Sequence, residues 1–224
     1  MNRAFFMPNF DVFRFMLVST AYFPPIAHYA LLLQNQNCRV EQFETFPKQT
    51  YRNRCTILTA HGVQSLSVPV VKPHGNKTLT RDIQISYETP WQQLHWRALK
   101  TAYNSSPFLL YYQDELVELF RRKYSFLLDL NDSIVEVINK LMEWEIATKR
   151  TDNFIFPDQD SRQEDHRFSF NPKESKTVGL SPYIQVFSDQ FPFAENLSIL
   201  DLIFNLGPEA EAYLMKIDKK KPEF

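Results

Sequence analysis

Hydrophobic residues are spaced along this chain in two rhythms. Up to about residue 88 they come in short runs broken by prolines and polar residues, the signature of short strands; from residue 89 they recur every three to four positions, the signature of helices. The run FMLVSTAY at 15–22 is short enough for a buried strand and stops at Pro24-Pro25, behind which IAHYALLLQNQN reads as a short helix beginning at Pro25. CRVEQFE alternates weakly. TILTAHGVQSLSVPVV places apolar residues on both sides of His61-Gly62 and predicts a tight hairpin in which Gly62 supplies a positive φ, with Pro69 putting the second strand at an edge. KPHGNKTLTR is loop-like and DIQIS is a further short strand.

Thr89 then predicts an N-cap with Pro90 at the first helical position, followed by Trp91, Leu94, His95, Ala98, Leu99, Ala102 and Tyr103 on one face. Ser105-Ser106-Pro107 ends that helix and opens another with Leu116, Leu119 and Phe120 inward. Asn131 or Asp132 caps a third, carrying Ile134, Val137, Ile138 and Leu141. Residues 149–177 are polar and proline-punctuated and read as one long loop, with mobility expected between 151 and 164. SPYIQVF predicts a strand, Asn196 an N-cap for a helix over 197–206, Gly207 its stop, and Pro208 the opening of a last helix. The tail KIDKKKPEF reads as a solvated terminus.

These elements predict an α+β fold in one domain over 1–224: a small mixed β-sheet from the N-terminal third, packed against a helical middle and C-terminal region and extended by PYIQVF. The strand, turn and helix at the start leave a doubly wound α/β fold as the alternative.

Composition narrows the functional classes. With 224 residues, 25 Lys+Arg against 26 Asp+Glu and 44% hydrophobic residues, the chain is neither disordered nor a generally polybasic nucleic-acid binder. Four glycines leave no phosphate loop and no GxGxxG, which excludes P-loop NTPases. Two cysteines, Cys38 and Cys55, are too few for a disulfide framework, so a reduced, cytoplasmic setting is expected. No apolar run is long enough to span a bilayer, and Pro8, Asn9, Asp11 and Arg14 interrupt any signal-peptide core.

Three clusters carry candidate chemistry. Between two predicted strands lie Glu44, Lys48, Tyr51, Arg52, Asn53 and Arg54. On an extended chain Arg52 and Arg54 point to one face, where they could hold a phosphate or carboxylate, and Lys72, His74, Lys77 and Arg81 follow on the next loop. An exposed polar loop would show the same composition. His95 sits in an apolar helical stripe with Tyr103 two turns on. Such a histidine is more often a core residue than a catalyst, but beside a pocket it would be a general base. Trp96 lies about 140° off that stripe and needs a partner of its own. Asp165-His166-Arg167 is no ready-made triad, because adjacent residues diverge and no nucleophile elbow accompanies them. The five histidines show no metal-ligand spacing, so no metal site is expected.

Four segments together carry a resemblance: STAYFPPIAHYALL, KQTYRNRCTI with SLSVPV, WQQLHWRALKTAYNSSPFLLYY, and PYIQVFSDQFPFAENLSILDLIFNLGP. In order and spacing the chain resembles the WbqC-like family, in the form common among Bacteroidetes, over about residues 16–215. The resemblance implies a bacterial cytosolic protein linked to O-antigen and lipopolysaccharide biosynthesis, in a family some of whose members are labelled transferases, glycine transferases included. It places Tyr22 and Asp82 among the recurring positions, beside Lys48, Tyr51, Arg52, Asn53, Arg54, His95 and Tyr103. Where many members read QPY, this chain has Thr20-Ala21-Tyr22. Two functional expectations follow. One is a transferase taking a sugar, acyl or aminoacyl group from a small anionic donor such as a nucleotide-sugar, with His95 and Tyr103 catalytic and Tyr22, Glu44, Lys48, Tyr51, Arg52, Asn53, Arg54 and Asp82 binding substrate. The other is a non-catalytic scaffold of the same pathway, holding a second copy or a pathway enzyme through Trp96 and the Phe-rich N-terminus. The cofactor stays open, and no nucleic-acid partner is implied.

Overall fold

The computed structural model describes residues 14–157, 162–172 and 178–218. Strand β1 (Phe15–Val18) is buried at all four positions and runs through Phe23, which holds a φ of 40°, and the two prolines into helix α1 (Ile26–Leu33). Seven of the eight positions of α1 are buried, which is why its sequence is apolar all round rather than striped. The chain returns in β2 (Cys38–Val40), parallel to β1 with Met16 opposite Cys38. A hairpin follows as the pattern predicts, β3 (Arg54–Thr59) and β4 (Gly62–Ser67), with its turn at Ala60-His61, one residue before the expected pair, and Gly62 opening β4 at φ 95°. Strands β5 (Val70–Val71) and β6 (Gln84–Ile85) make a second small ribbon, with two 3₁₀ turns at 75–77 and 80–82 between them.

Helices α2 (Trp91–Tyr103), α3 (Leu109–Arg121) and α4 (Leu127–Met142) come next. The third starts one turn before the expected cap: Phe126 is its N-cap, which places Asn131 inside the helix. The long loop expected over 149–177 is corrected at both ends. Strands β7 (Thr148–Arg150) and β8 (Gln163–Asp165) emerge from it and complete a four-stranded sheet in the order β7-β2-β1-β8. All three pairings are parallel, so the principal sheet is not mixed, and half its strands come from beyond residue 147. Three-residue strands rich in charge carry no periodic signal, and only pairing with buried neighbours makes them strands. The segment expected to be mobile includes 158–161, which lie outside the described residues, as do 1–13 and most of the basic tail, 219–224.

PYIQVF is not a strand. Gln185 is buried and ties this stretch down through Ala194 and Asp201 instead. Helix α5 (Ile199–Leu206) is capped by Ser198, whose Oγ accepts from Leu200 N, while Asn196 turns to accept from Ala27 N. Gly207 ends α5 at φ 53° with the Phe108 ring so near that a Cβ would lie 2.5 Å from it, and α6 (Ala210–Met215) follows. Among the described residues no helix is long and apolar enough to cross a membrane.

Candidate functional site

Because β7, β2, β1 and β8 are parallel, their carboxyl ends share one edge, the place where open parallel sheets hold ligands. The backbone ladder runs on past the strands there: Glu41 N donates to Val18 O, Thr151 N to Val40 O, and His166 N to Leu17 O. Thr20, Glu41, Glu44, Thr151 and Arg167 are thereby gathered at that edge, all buried. Glu41 Oε1 accepts from Phe43 N and Thr151 Oγ1, and Oε2 from Ile155 N. Arg167 is clamped by Asp165 and donates to Ile155 O. Arg52 Nε donates to Glu44 Oε1 at 2.8 Å and its other nitrogen reaches Arg167 O at 3.3 Å.

Two guanidinium groups here face three carboxylates, Glu41, Glu44 and Asp165. Arg52 therefore reaches the site already neutralised. It lies in the turn ahead of β3 rather than on it, so its side chain parts from that of Arg54, which opens the hairpin opposite Ser67. Burial raises the Glu44 carboxyl above its ordinary range and Arg52 only partly opposes this. Its Oε2 is buried without a partner among the described residues. Above this cluster lie phenyl rings, with Phe168 5.6 Å from Arg52 and Phe154 5.5 Å from Arg167.

Next to the edge is a cleft of about 20 Å³ lined by Thr20, His28, Val40, Asn131, Asp132 and Thr148. His28 is 3% exposed and touches the Phe170 ring at 5.2 Å, and burial lowers its pKa to about 3. Asn131 Nδ2 donates to Thr20 Oγ1 and to Arg52 O, both at 2.9 Å. Neither His28 nor Asn131 is among the site residues expected from the sequence, where Asn131 reads only as a helix cap. The available signal was His28 as the one titratable imidazole in a helix with no polar face.

The other expected residues fall elsewhere. Tyr22, 1% exposed, is fixed by Tyr22 N donating to Tyr51 O, and its hydroxyl meets His95 Nδ1 at 2.9 Å. The His95 ring, 5% exposed, also abuts Trp91 and is pushed down by burial to about 4, which makes it a neutral imidazole. Among the described residues no hydrogen bond or ion pair joins it to Arg52. Tyr103 is fully buried and donates to Asp201 Oδ1 at 2.9 Å. Asn53 donates to Val68 O. Asp82 sits half-buried beside the exposed Arg81. Burial raises the Tyr51 hydroxyl, opposed by Thr56. Lys48 is exposed, and Lys72 is lowered first by burial and then by the like charge of Lys48. Neither of these, nor Arg54, has a carboxylate partner among the described residues, and Arg54 Nε is buried unpaired. Trp96 finds its partner in Phe120, ring centres 5.6 Å apart, and lines a shallow groove with Arg97 and Lys100. A roomier cleft, about 600 Å³ between residues 178–183 and α6, holds none of the expected residues. Among the described residues no group of three or more His, Cys, Asp or Glu is placed to hold a metal ion.

A family model for WbqC-like proteins matches residues 20–182, from the carboxyl end of β1 through both outer strands. The chain belongs to the WbqC-like protein family. The matched span contains the whole Glu41–Glu44–Arg52–Arg167 cluster and, with the exception of Val18 and Ser19, the lining of the cleft beside it. Among curated proteins the chain is similar to the uncharacterized protein Rv1507c of Mycobacterium tuberculosis, 24% identical with 88% of this chain and 96% of that protein covered. No solved structure matches.

Proposed function

We propose that this WbqC-like protein is a transferase of bacterial surface-polysaccharide biosynthesis, moving a sugar, acyl or aminoacyl group, a glycyl group among them, from an activated anionic donor to a hydroxyl or amine. The single observation behind this reading is the Glu44 carboxyl: buried, raised by burial, with one oxygen that has no partner among the described residues. A carboxylate tuned upward in this way is suited to take a proton near neutral pH. In the reaction the acceptor oxygen or nitrogen bonds to the transferred carbon, the bond from that carbon to the anionic leaving group breaks, and the acceptor's proton passes to Glu44. The donor's charge is met by Lys48, Lys72 and Arg54, cations without carboxylate partners among the described residues, and not by Arg52, which Glu44 already neutralises.

A thermal-shift series with UDP- and dTDP-sugars, ATP and glycine tests the donor half. A donor present at 100 times its Kd stabilises the native state by about 2.7 kcal/mol, and the pair Lys48→Ser and Lys72→Ser removes that rise while leaving the unliganded Tm in place. The groove at Trp96 favours a second, non-catalytic reading in which a pathway enzyme docks there. No rise with any donor, together with stoichiometric capture of such an enzyme, would replace the transferase by the scaffold.

A further inference from the structure

The cleft beside the carboxyl edge is built for one small polar group. Its volume, about 20 Å³, admits a single water-sized moiety. Two of the side chains lining it are more than nine-tenths buried with hydrogen-bonding capacity left over, which folded proteins seldom tolerate. The Asn131 amide cannot be turned over. Its Nδ2 serves Arg52 O, a carbonyl that can only accept, so the buried atom left without a partner among the described residues is the acceptor Oδ1. His28 makes no hydrogen bond to a described residue, and as a neutral imidazole it offers one N–H donor and one bare nitrogen. Thr20, held by Asn131, forms the third side.

One donor and one acceptor lining a space of one heavy atom describe the needs of a hydroxyl, which gives one hydrogen and accepts another. A carboxylate or phosphate would leave Oδ1 facing a like partial charge. A methyl group would leave both side chains unpaired.

We propose that the cleft between His28 and Asn131 is the subsite for one hydroxyl group of an alcohol or sugar substrate, its O–H donating to Asn131 Oδ1 and its oxygen accepting from the His28 ring. That this hydroxyl belongs to the acceptor rests on the transferase reading; that the cleft binds it does not. His28 is here a binding residue, and the proton-accepting carboxyl of Glu44 lies across Arg52, which both Glu44 and Asn131 contact.

The test is binding, with no turnover required. In full-length protein labelled with ¹⁵N-histidine, titration with methyl α-glucoside is expected to move the His28 ring resonances while the His95 ring stays in place. His28→Leu is expected to fold with a Tm equal to or above wild type and to weaken binding at least about tenfold. Asn131→Asp, which keeps the shape but loses the bond to Arg52 O, provides a second variant and is expected to weaken the affinity in the same titration. Ring resonances of His28 that do not respond to molar methyl α-glucoside overturn the proposal, as does a cleft that keeps an ordered water at full sugar occupancy. So does a His28→Leu protein destabilised by more than about 5 °C, since the imidazole would then serve the fold. A shifted His28 in a protein that transfers nothing would sink the transferase reading and leave this subsite standing.

Discussion

Two buried carboxyls, Asp201 and Glu44, sit in opposite situations. Asp201 is sealed at 0% exposure and receives Tyr103 at 2.9 Å, Tyr183 at 2.5 Å and Gln185 at 2.9 Å. Burial raises it, and those three donors oppose the rise. Every oxygen is engaged by chain separated by 16 to 98 residues, so Asp201 holds the C-terminal segment to α2. Glu44 spends one oxygen on Arg52, and the other has no partner among the described residues. Charge burial is common to both; what separates them is whether the fold finishes the job. A fully satisfied buried carboxyl is structural, and a half-satisfied one is where a substrate has something to add.

The strongest blow to this contrast is Asp201→Ala. It strands two tyrosine hydroxyls in the core, at roughly 1–3 kcal/mol each, and leaves Gln185 only its bonds to Ala194, so Tm should fall by about 10 °C or more in thermal denaturation. Tyr103→Phe in the same background should then cost almost nothing further, because the pair acts as one unit. Glu44→Gln comes next. It keeps a hydrogen bond to Arg52 but removes the countercharge, so a loss of about 2 kcal/mol is expected, alongside a fall in turnover of at least about 100-fold in a reconstituted transfer assay. Equal destabilisation by the two substitutions with turnover untouched would erase the distinction.

The gentlest probe is pH. His95 titrates at about 4 in the folded protein against an ordinary 6.5, so between those values the unfolded chain binds more protons. Its contribution is complete above pH 6.5 and is lost as pH falls toward 4, at up to about 1.4 kcal/mol per pH unit. His95→Gln should therefore reduce the slope of the denaturation midpoint against pH across that window, leaving the part owed to His28, while keeping a hydrogen bond to Tyr22. A large drop in turnover at pH 7.5 from the same substitution would return the proton-accepting role to His95.

Much of this could be read before any coordinates. The hairpin around His61-Gly62, the helix from Trp91 and the stop at Gly207 are local events, written in proline, glycine and 3.6-residue spacing. The outer strands Thr148–Arg150 and Gln163–Asp165 were not, since three charged residues become a strand only by pairing with β2 and β1. The same holds for the site. Glu44 and Arg52 are eight residues apart and visible as a charged cluster, whereas their neighbours Arg167 and Asn131 arrive from 115 and 79 residues beyond Arg52. Charge alone suggested an anion pocket at Arg52. Its buried ion pair with Glu44 is something no composition encodes.

The register of the parallel sheet also governs how the chain comes into being. Met16 must wait for Glu164 before its outer edge is closed. A nascent chain therefore carries an open, fully apolar strand through most of its synthesis, and pairings at such sequence distance are slow to find. Any chain cut before Asp165 keeps that edge bare, so the shortest truncation expected to stay free of aggregates ends beyond it.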